Sequence, residues 1–206
     1  KLEEQSDYIG ARGYIQKTIL GENTELTLTS GFEFFREKYD WATISNETAG
    51  EILSDNREKR SYENLFFQAE SNFNDRFYFS AGINGNLTRF NYTDQFLVNG
   101  DQSGEYSYKP VVSPRVGFNY IITPGFSFFG NLSHGFSTPT FEETLLPEGD
   151  INKDIKPETG WNAEAGVRTL IGDRLTASVS YYRIYVKNLL VARRTGQDAY
   201  IGVNAG

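Results

Sequence analysis

Residues Arg76–Tyr92 read RFYFSAGINGNLTRFNY. Taken alternately, Phe77, Phe79, Ala81, Ile83, Gly85 and Leu87 fall on one side, and Tyr78, Ser80, Gly82, Asn84, Asn86 and Thr88 on the other. A period of two held this long specifies a strand with one apolar and one polar face. Soluble strands usually number about five or six residues. A tilted strand crossing a bilayer needs about nine to eleven, and this stretch supplies them.

Neighbouring segments repeat the pattern. Thr24–Lys38 sets Leu26, Leu28, Phe32 and Phe34 against Glu25, Thr27, Thr29 and Glu33. Phe126–Phe136, Trp161–Thr169 and Leu175–Tyr181 alternate in the same way, with Phe129 out of phase. Weaker members are Tyr8–Lys17, blurred by Gly10, Arg12 and Gly13, and Arg60–Phe73, where Phe66 interrupts. Val111–Tyr120 is clean from Pro114 onward. The breaks between segments alternate too. Tight reversals are expected at Leu20–Thr24, Asn72–Arg76, Ile121–Gly125 and Leu170–Arg174, and long polar excursions at Lys38–Lys59, Thr93–Ser107, Ser137–Pro157 and Val191–Tyr200. Short turns at one end and long loops at the other are the plan of an outer-membrane barrel. The expected fold is therefore all-β: an antiparallel up-and-down meander, eight full strands plus a ninth begun at Gly202, forming part of a transmembrane β-barrel.

The polar faces carry Glu33, Glu70, Arg115, Glu164 and Arg168. Ionised groups in mid-strand need water or a polar partner, so these five are expected to face a wet or plugged lumen. The 16 Phe and 13 Tyr in a chain only 38% hydrophobic suit a thin two-faced sheet better than a thick core. A net charge of -7 argues against a nucleic-acid surface. With no cysteine, no disulfide framework or thiolate metal site is available. The chain starts at Lys1 and has no methionine, and is read as a piece of a longer mature protein.

Three stretches point to a family. They are SHGFSTPTFEET at Ser133–Thr144, DIKPETGWNAEAGVR at Asp154–Arg168, and SYYRIYVKNLLVARR at Ser180–Arg194 followed by YIGVNAG at Tyr200–Gly206. With SPRVGFNY at Ser113–Tyr120, they resemble the second half of the barrel of a TonB-dependent outer-membrane receptor. The likeness is detailed from Val111 to Gly206 and architectural before it. It implies a wall segment of a 22-stranded barrel in the outer membrane of a Gram-negative bacterium, with the plug domain absent from these residues. It further implies uptake of a scarce nutrient, most often a ferric siderophore, driven by TonB, ExbB and ExbD through the missing N-terminal part. Outer-membrane lipid and lipopolysaccharide would surround it.

No catalytic or cofactor constellation is present. His134, the single histidine, cannot build a metal site alone. The acids Glu142, Glu143, Glu148, Asp150 and Asp154 read as a solvated loop. Ser133 and His134 are neighbours on opposite faces of a strand, so they cannot act together. Pro139 and Pro157 bracket a loop because neither can donate to a ladder. Trp161 suits an interfacial girdle. Gly166 would leave room for a plug or an opposite wall. The ligand-binding candidates are Arg193 and Arg194, whose guanidinium forks suit an anion, and the loop aromatics Tyr39, Trp41, Tyr106 and Tyr108. Lipopolysaccharide phosphate is an equal claimant for the arginines, and a lipid girdle for Tyr106 and Tyr108. Two alternatives to a receptor fit the same alternation: a passive outer-membrane porin or adhesin, and a soluble secreted carbohydrate-binding β-domain. An arc of eight strands also leaves two raw edges, so it must either close on itself or meet other segments.

Overall fold

The computed structural model describes all residues except 46, 47, 49, 145–151, 153, 173, 197, 198 and 206. Glu148 and Asp150 lie outside them, as does the side chain of Glu142. Among the described residues eleven strands follow one another: β1 Leu2–Leu20, β2 Thr24–Ile44, β3 Ile52–Phe73, β4 Phe77–Asp94, β5 Gly104–Ser107, β6 Val111–Thr123, β7 Phe126–Ser137, β8 Glu158–Ile171, β9 Leu175–Lys187, β10 Leu189–Gly196 and β11 Ala199–Ala205. The main sheet is an antiparallel meander in the order β1-β2-β3-β4-β6-β7-β8-β9, with β5 beside the upper part of β4. β10 and β11 form a separate hairpin. The ninth strand, expected from Gly202, begins at Ala199 and pairs with β10.

The four tight reversals fall where the sequence places them. Asn74 and Asp75 both adopt φ 54, a left-handed conformation that short polar side chains tolerate. Gly172 turns at φ 53 in the last reversal. The long excursions are shorter than expected. Lys38–Lys59 was expected as loop, yet the β2–β3 ladder runs unbroken through Tyr39↔Glu58 and Trp41↔Asn56 to Thr43↔Ser54. A cross-strand ion pair holds it there, Asp40 to Arg57 at 2.5 Å, and Lys38 on the same strand as Asp40 joins it at 2.7 Å. Val191–Tyr200 is likewise mostly the β10–β11 ladder.

Register makes the two faces continuous across the sheet. One polar row runs Gln16–Thr29–Gln68–Gly82–Arg115–Ser133–Asn162, and one apolar row runs Gly13–Phe32–Leu65–Gly85–Val112. Among the described residues nothing is stacked on the apolar face. Phe79, Ile83 and Leu132 are 37%, 48% and 41% exposed, so they do not form the dry centre of a two-layer sandwich. From Phe77 to Leu87 a strand covers about 34 Å, or about 25 Å across a membrane at a tilt of about 45°, the height of an outer-membrane apolar band. The sheet is not closed, since among the described residues β1 pairs only with β2 and β9 only with β8. Of the two expectations for its edges, self-closure is rejected.

The two residues that broke the pattern share one explanation. Phe66 stands opposite Gly31, and Phe129 opposite Gly166, both on the polar face. Each ring lies across the missing side chain: a Cβ on Gly31 would come within 2.5 Å of the Phe66 ring, and one on Gly166 within 2.6 Å of the Phe129 ring. The space above Gly166 is thus filled from the neighbouring strand, an aromatic covering a sheet glycine. Gly166→Ala in the full-length barrel should lower stability by about 1–3 kcal/mol through overpacking. The check is the denaturant midpoint of the folded band, and Phe129→Ala in the same chain should restore part of the loss.

Candidate functional site

Above the apolar band the polar face becomes aromatic. Tyr39 and Trp41 continue the phase of Glu33 on β2. Asn56, Glu58 and Arg60 face them from β3, and Phe90, Tyr92 and Asp94 from β4. Tyr106 on β5 pairs with Phe90, and Tyr108 lies just past the end of β5. Rings connect along this surface: Tyr39 to Trp41 at 5.3 Å, Trp41 to Tyr92 at 6.0 Å, Phe90 to Tyr108 at 5.6 Å and Tyr108 to Tyr106 at 4.8 Å. The Arg60 guanidinium covers Phe90 at 4.9 Å and reaches Glu58 at 3.2 Å.

Part of this surface is roofed. Phe90, Tyr92 and Tyr108 are buried, and so are Pro139 and Ile155 from the segment that follows β7. The Tyr106 hydroxyl donates to the Ile155 carbonyl at 3.0 Å, and the Tyr108 hydroxyl to that of Pro139 at 3.5 Å. The segment is tied on its other side to β11, where Asn204 Oδ1 accepts from the Lys156 N–H at 2.8 Å. Asp94 pins the loop after β4 by accepting from the N–H groups of Phe96 at 2.8 Å and Gln102 at 3.2 Å. The Tyr92 hydroxyl donates to Asn56 Oδ1. Burial, with Asp94 nearby, pushes the Tyr92 phenol up to about 12. Burial pushes Tyr106 and Tyr108 upward as well. Asp40, on the opposite face, feels some desolvation, but hydrogen bonds from Lys38 and Arg57 outweigh it and hold the carboxyl below its usual range. The result is a wall of flat rings and neutral phenols beside an arginine, suited to stacking and hydrogen bonding.

The structure gathers four of the six ligand candidates here, Tyr39, Trp41, Tyr106 and Tyr108. Tyr39 and Trp41 are strand residues, not loop residues. Tyr106 and Tyr108 face the polar side, which removes them from a lipid girdle. Arg193 and Arg194 do not join them. They are consecutive in β10, opposite Ile201 and Tyr200, so their side chains leave opposite faces of the hairpin. Phe90, Tyr92 and Ile155 were missed by the sequence reading. Phe90 and Tyr92 are detectable as rings on the even, polar phase of β4.

The five polar-face charges occupy separate places on the wall. Glu33 accepts from Arg12 at 2.5 Å, and Glu164 from Asn131 at 2.9 Å. Arg115 reaches across Gly82 to Gln68, and Arg168 covers the Phe129 ring at 5.5 Å. Glu70 is exposed in a groove of about 570 Å³ shared with Thr27, Ser80 and Asn131. His134 packs on Trp161 at 5.1 Å, with its Nδ1 3.1 Å from Ser113 Oγ. Among the described residues no cluster of three His, Cys, Asp or Glu is placed to hold a metal.

A family model described as TonB dependent receptor-like, beta-barrel matches residues 3–206. Among solved structures the chain is similar to the Serratia marcescens hemophore receptor HasR, in complex with its hemophore HasA and heme, at 13% identity and TM-score 0.76. It is similar to the alcaligin outer membrane receptor FauA from Bordetella pertussis at 12% identity and TM-score 0.71. The ferric yersiniabactin uptake receptor FyuA from Yersinia pestis matches at 14% identity and TM-score 0.68. These alignments cover 98%, 99% and 92% of the chain, but only 38%, 34% and 30% of the three receptors. The chain therefore spans roughly a third of each relative. No curated protein matches it.

The roof predicts a pH dependence. The fold favours the neutral phenols, so this stability is complete below the free tyrosine pKa of about 10 and is lost as pH rises through the shifted values. In an ultraviolet titration of the full-length protein, Ile155→Ala should make Tyr106 and Tyr108 ionise earlier while the barrel stays folded.

Proposed function

The chain belongs to the TonB-dependent receptor-like β-barrel family, and from that premise we propose that it is part of the wall and outer vestibule of an importer in the outer membrane of a Gram-negative bacterium. The whole protein captures a scarce nutrient outside the cell, a ferric siderophore in the first instance. It admits the ligand by a TonB–ExbB–ExbD-driven rearrangement of parts outside these residues. The ligand is bound and moved, and no bond in it is broken.

One observation supports the ligand class: six rings, Tyr39, Trp41, Phe90, Tyr92, Tyr106 and Tyr108, converge on the polar face beyond the apolar band. Flat chelates with aromatic or heteroaromatic arms stack on such a surface, and Arg60 adds a cation for their net negative charge. Tyr39 and Trp41 are the ligand-facing residues in this reading, while Tyr106 and Tyr108 hold the roof. Arg193 and Arg194 remain available one at a time, at the hairpin rim. Polar-face Glu33, Glu70, Arg115, Glu164 and Arg168 line the lumen, with plug or water opposite them.

The full-length gene, expressed in a strain stripped of its own receptors, should restore growth on one of a panel of ferric siderophores or on heme. Trp41→Ala should weaken binding of that ligand about tenfold, the loss expected for one aromatic contact. Deleting TonB should abolish uptake and leave binding intact. Uptake that persists without TonB would reject the importer in favour of a passive pore.

A further inference from the structure

Among the described residues the β10–β11 hairpin shares no backbone ladder with the main sheet. Side chains at its foot fasten it instead, by taking backbone groups. Glu158 Oε1 accepts from the Leu190 N–H at 2.5 Å. Asn188, at φ 55 between β9 and β10, donates to the Pro157 carbonyl at 3.4 Å. Asn204 of β11 joins three groups at once. Its Oδ1 accepts from the Lys156 N–H at 2.8 Å, and its Nδ2 donates to the Lys156 carbonyl at 3.0 Å and the Asn188 carbonyl at 2.8 Å. Only one orientation of the amide sets its oxygen toward an N–H and its nitrogen toward two carbonyls, so the network fixes it. Gly202, two residues earlier on the same face, allows the close approach. A Cβ there would collide with the Glu143 carbonyl and lie 3.2 Å from Ile155 Cδ1.

The Lys156 N–H and the Ile155 carbonyl belong to one peptide unit, which is planar and trans, so the two groups point in opposite directions. From the wall side the Tyr106 hydroxyl donates to that carbonyl at 3.0 Å. A single rigid unit is thus gripped by β5 at one edge and by β11 at the other. Hydrogen bonds in such a chain polarise one another, and Ile155, only 2% exposed, shields the carbonyl from water. We propose that Asn204 is a positioning residue of the vestibule: through the Ile155–Lys156 peptide unit it sets the Tyr106 hydroxyl, so that the hairpin and the aromatic wall move as one. The meaning of this linkage for uptake rests on the importer reading. The linkage itself is measured without a ligand, so either can fail alone.

The experiment reads full-length receptor in detergent at both ends of the linkage, because a coupling between two sites is reciprocal. Tyr106→Phe leaves the Asn204 amide in place, yet it should speed hydrogen exchange at the Lys156 N–H about fivefold, the worth of one ordinary hydrogen bond. In the other direction, the Tyr106 phenol is held above the usual tyrosine range by burial and by nearby Asp154. Asn204→Ala should let it ionise at lower pH in an ultraviolet titration, and the shift should be missing when Tyr106→Phe is added. Asn204→Ser, whose one hydroxyl can serve only part of the network, should give a smaller shift. Asn152→Ala removes a 3.5 Å bond from the same segment to the Gly202 carbonyl and should leave Tyr106 unchanged. Unaltered exchange at Lys156 in a folded Tyr106→Phe receptor overturns the proposal, as does an unshifted Tyr106 in folded Asn204→Ala. A shift with Asn152→Ala as large as that with Asn204→Ala also overturns it, since that marks a general loosening of the segment.

Discussion

Every backbone N–H and C=O in the apolar band has hydrocarbon on one side, where no water can satisfy it, so each must be bonded to a neighbouring strand. This constraint shapes the rest of the molecule. It forces long, unbroken ladders such as Leu2–Thr43 to Leu20–Glu25. It confines irregular backbone to the two ends, where water is available. It also leaves β1 and β9 each with one free edge, and in hydrocarbon such an edge must be met by another strand.

The band was readable because alternation in the membrane has little competition: an outward residue meets hydrocarbon, an inward one meets polar groups. Leu26, Phe32, Phe79 and Ile83 follow that rule without exception. Beyond the band both faces are wet and the rule lapses. The run from Lys38 to Lys59 looked like loop because it is polar, yet polarity there does not oppose pairing. Asp40, Arg57 and Lys38 stabilise the ladder as ions, and Tyr39 and Trp41 as stacked rings. The same error placed Arg193 and Arg194 in a loop. The two were read as a pair that could contact one anionic ligand, whereas a strand sends adjacent side chains to opposite sides.

Four of the six rings of the candidate site were legible for a similar reason. Tyr39, Trp41, Tyr106 and Tyr108 stood out as aromatics outside the membrane pattern. Phe90 and Tyr92 did not, because they continue a strand whose rings had been assigned to lipid. Their phase was the signal. Phe66 and Phe129 show the same thing at mid-height: a ring on the polar side is not an error in the pattern but one half of a pair, and its partner is a glycine on the next strand. Ile155 left no trace in periodicity. Its burial depends on a segment more than forty residues from Tyr106 folding back over it, a contact that only three dimensions provide.

The two faces of the upper strands also bear on one another. β2, β3 and β4 carry the aromatic wall on their inward face and Arg36, Lys38, Lys59 and Arg89 on their outward face at the same height. Glu37 and Lys38, or Glu58 and Lys59, are consecutive residues pointing to opposite sides. A strand that is paired on both edges cannot rotate one face without moving the other. Any contact that fixes Arg36 and Lys59 on the outward face would therefore also fix Tyr39, Trp41 and Arg60 on the reverse side.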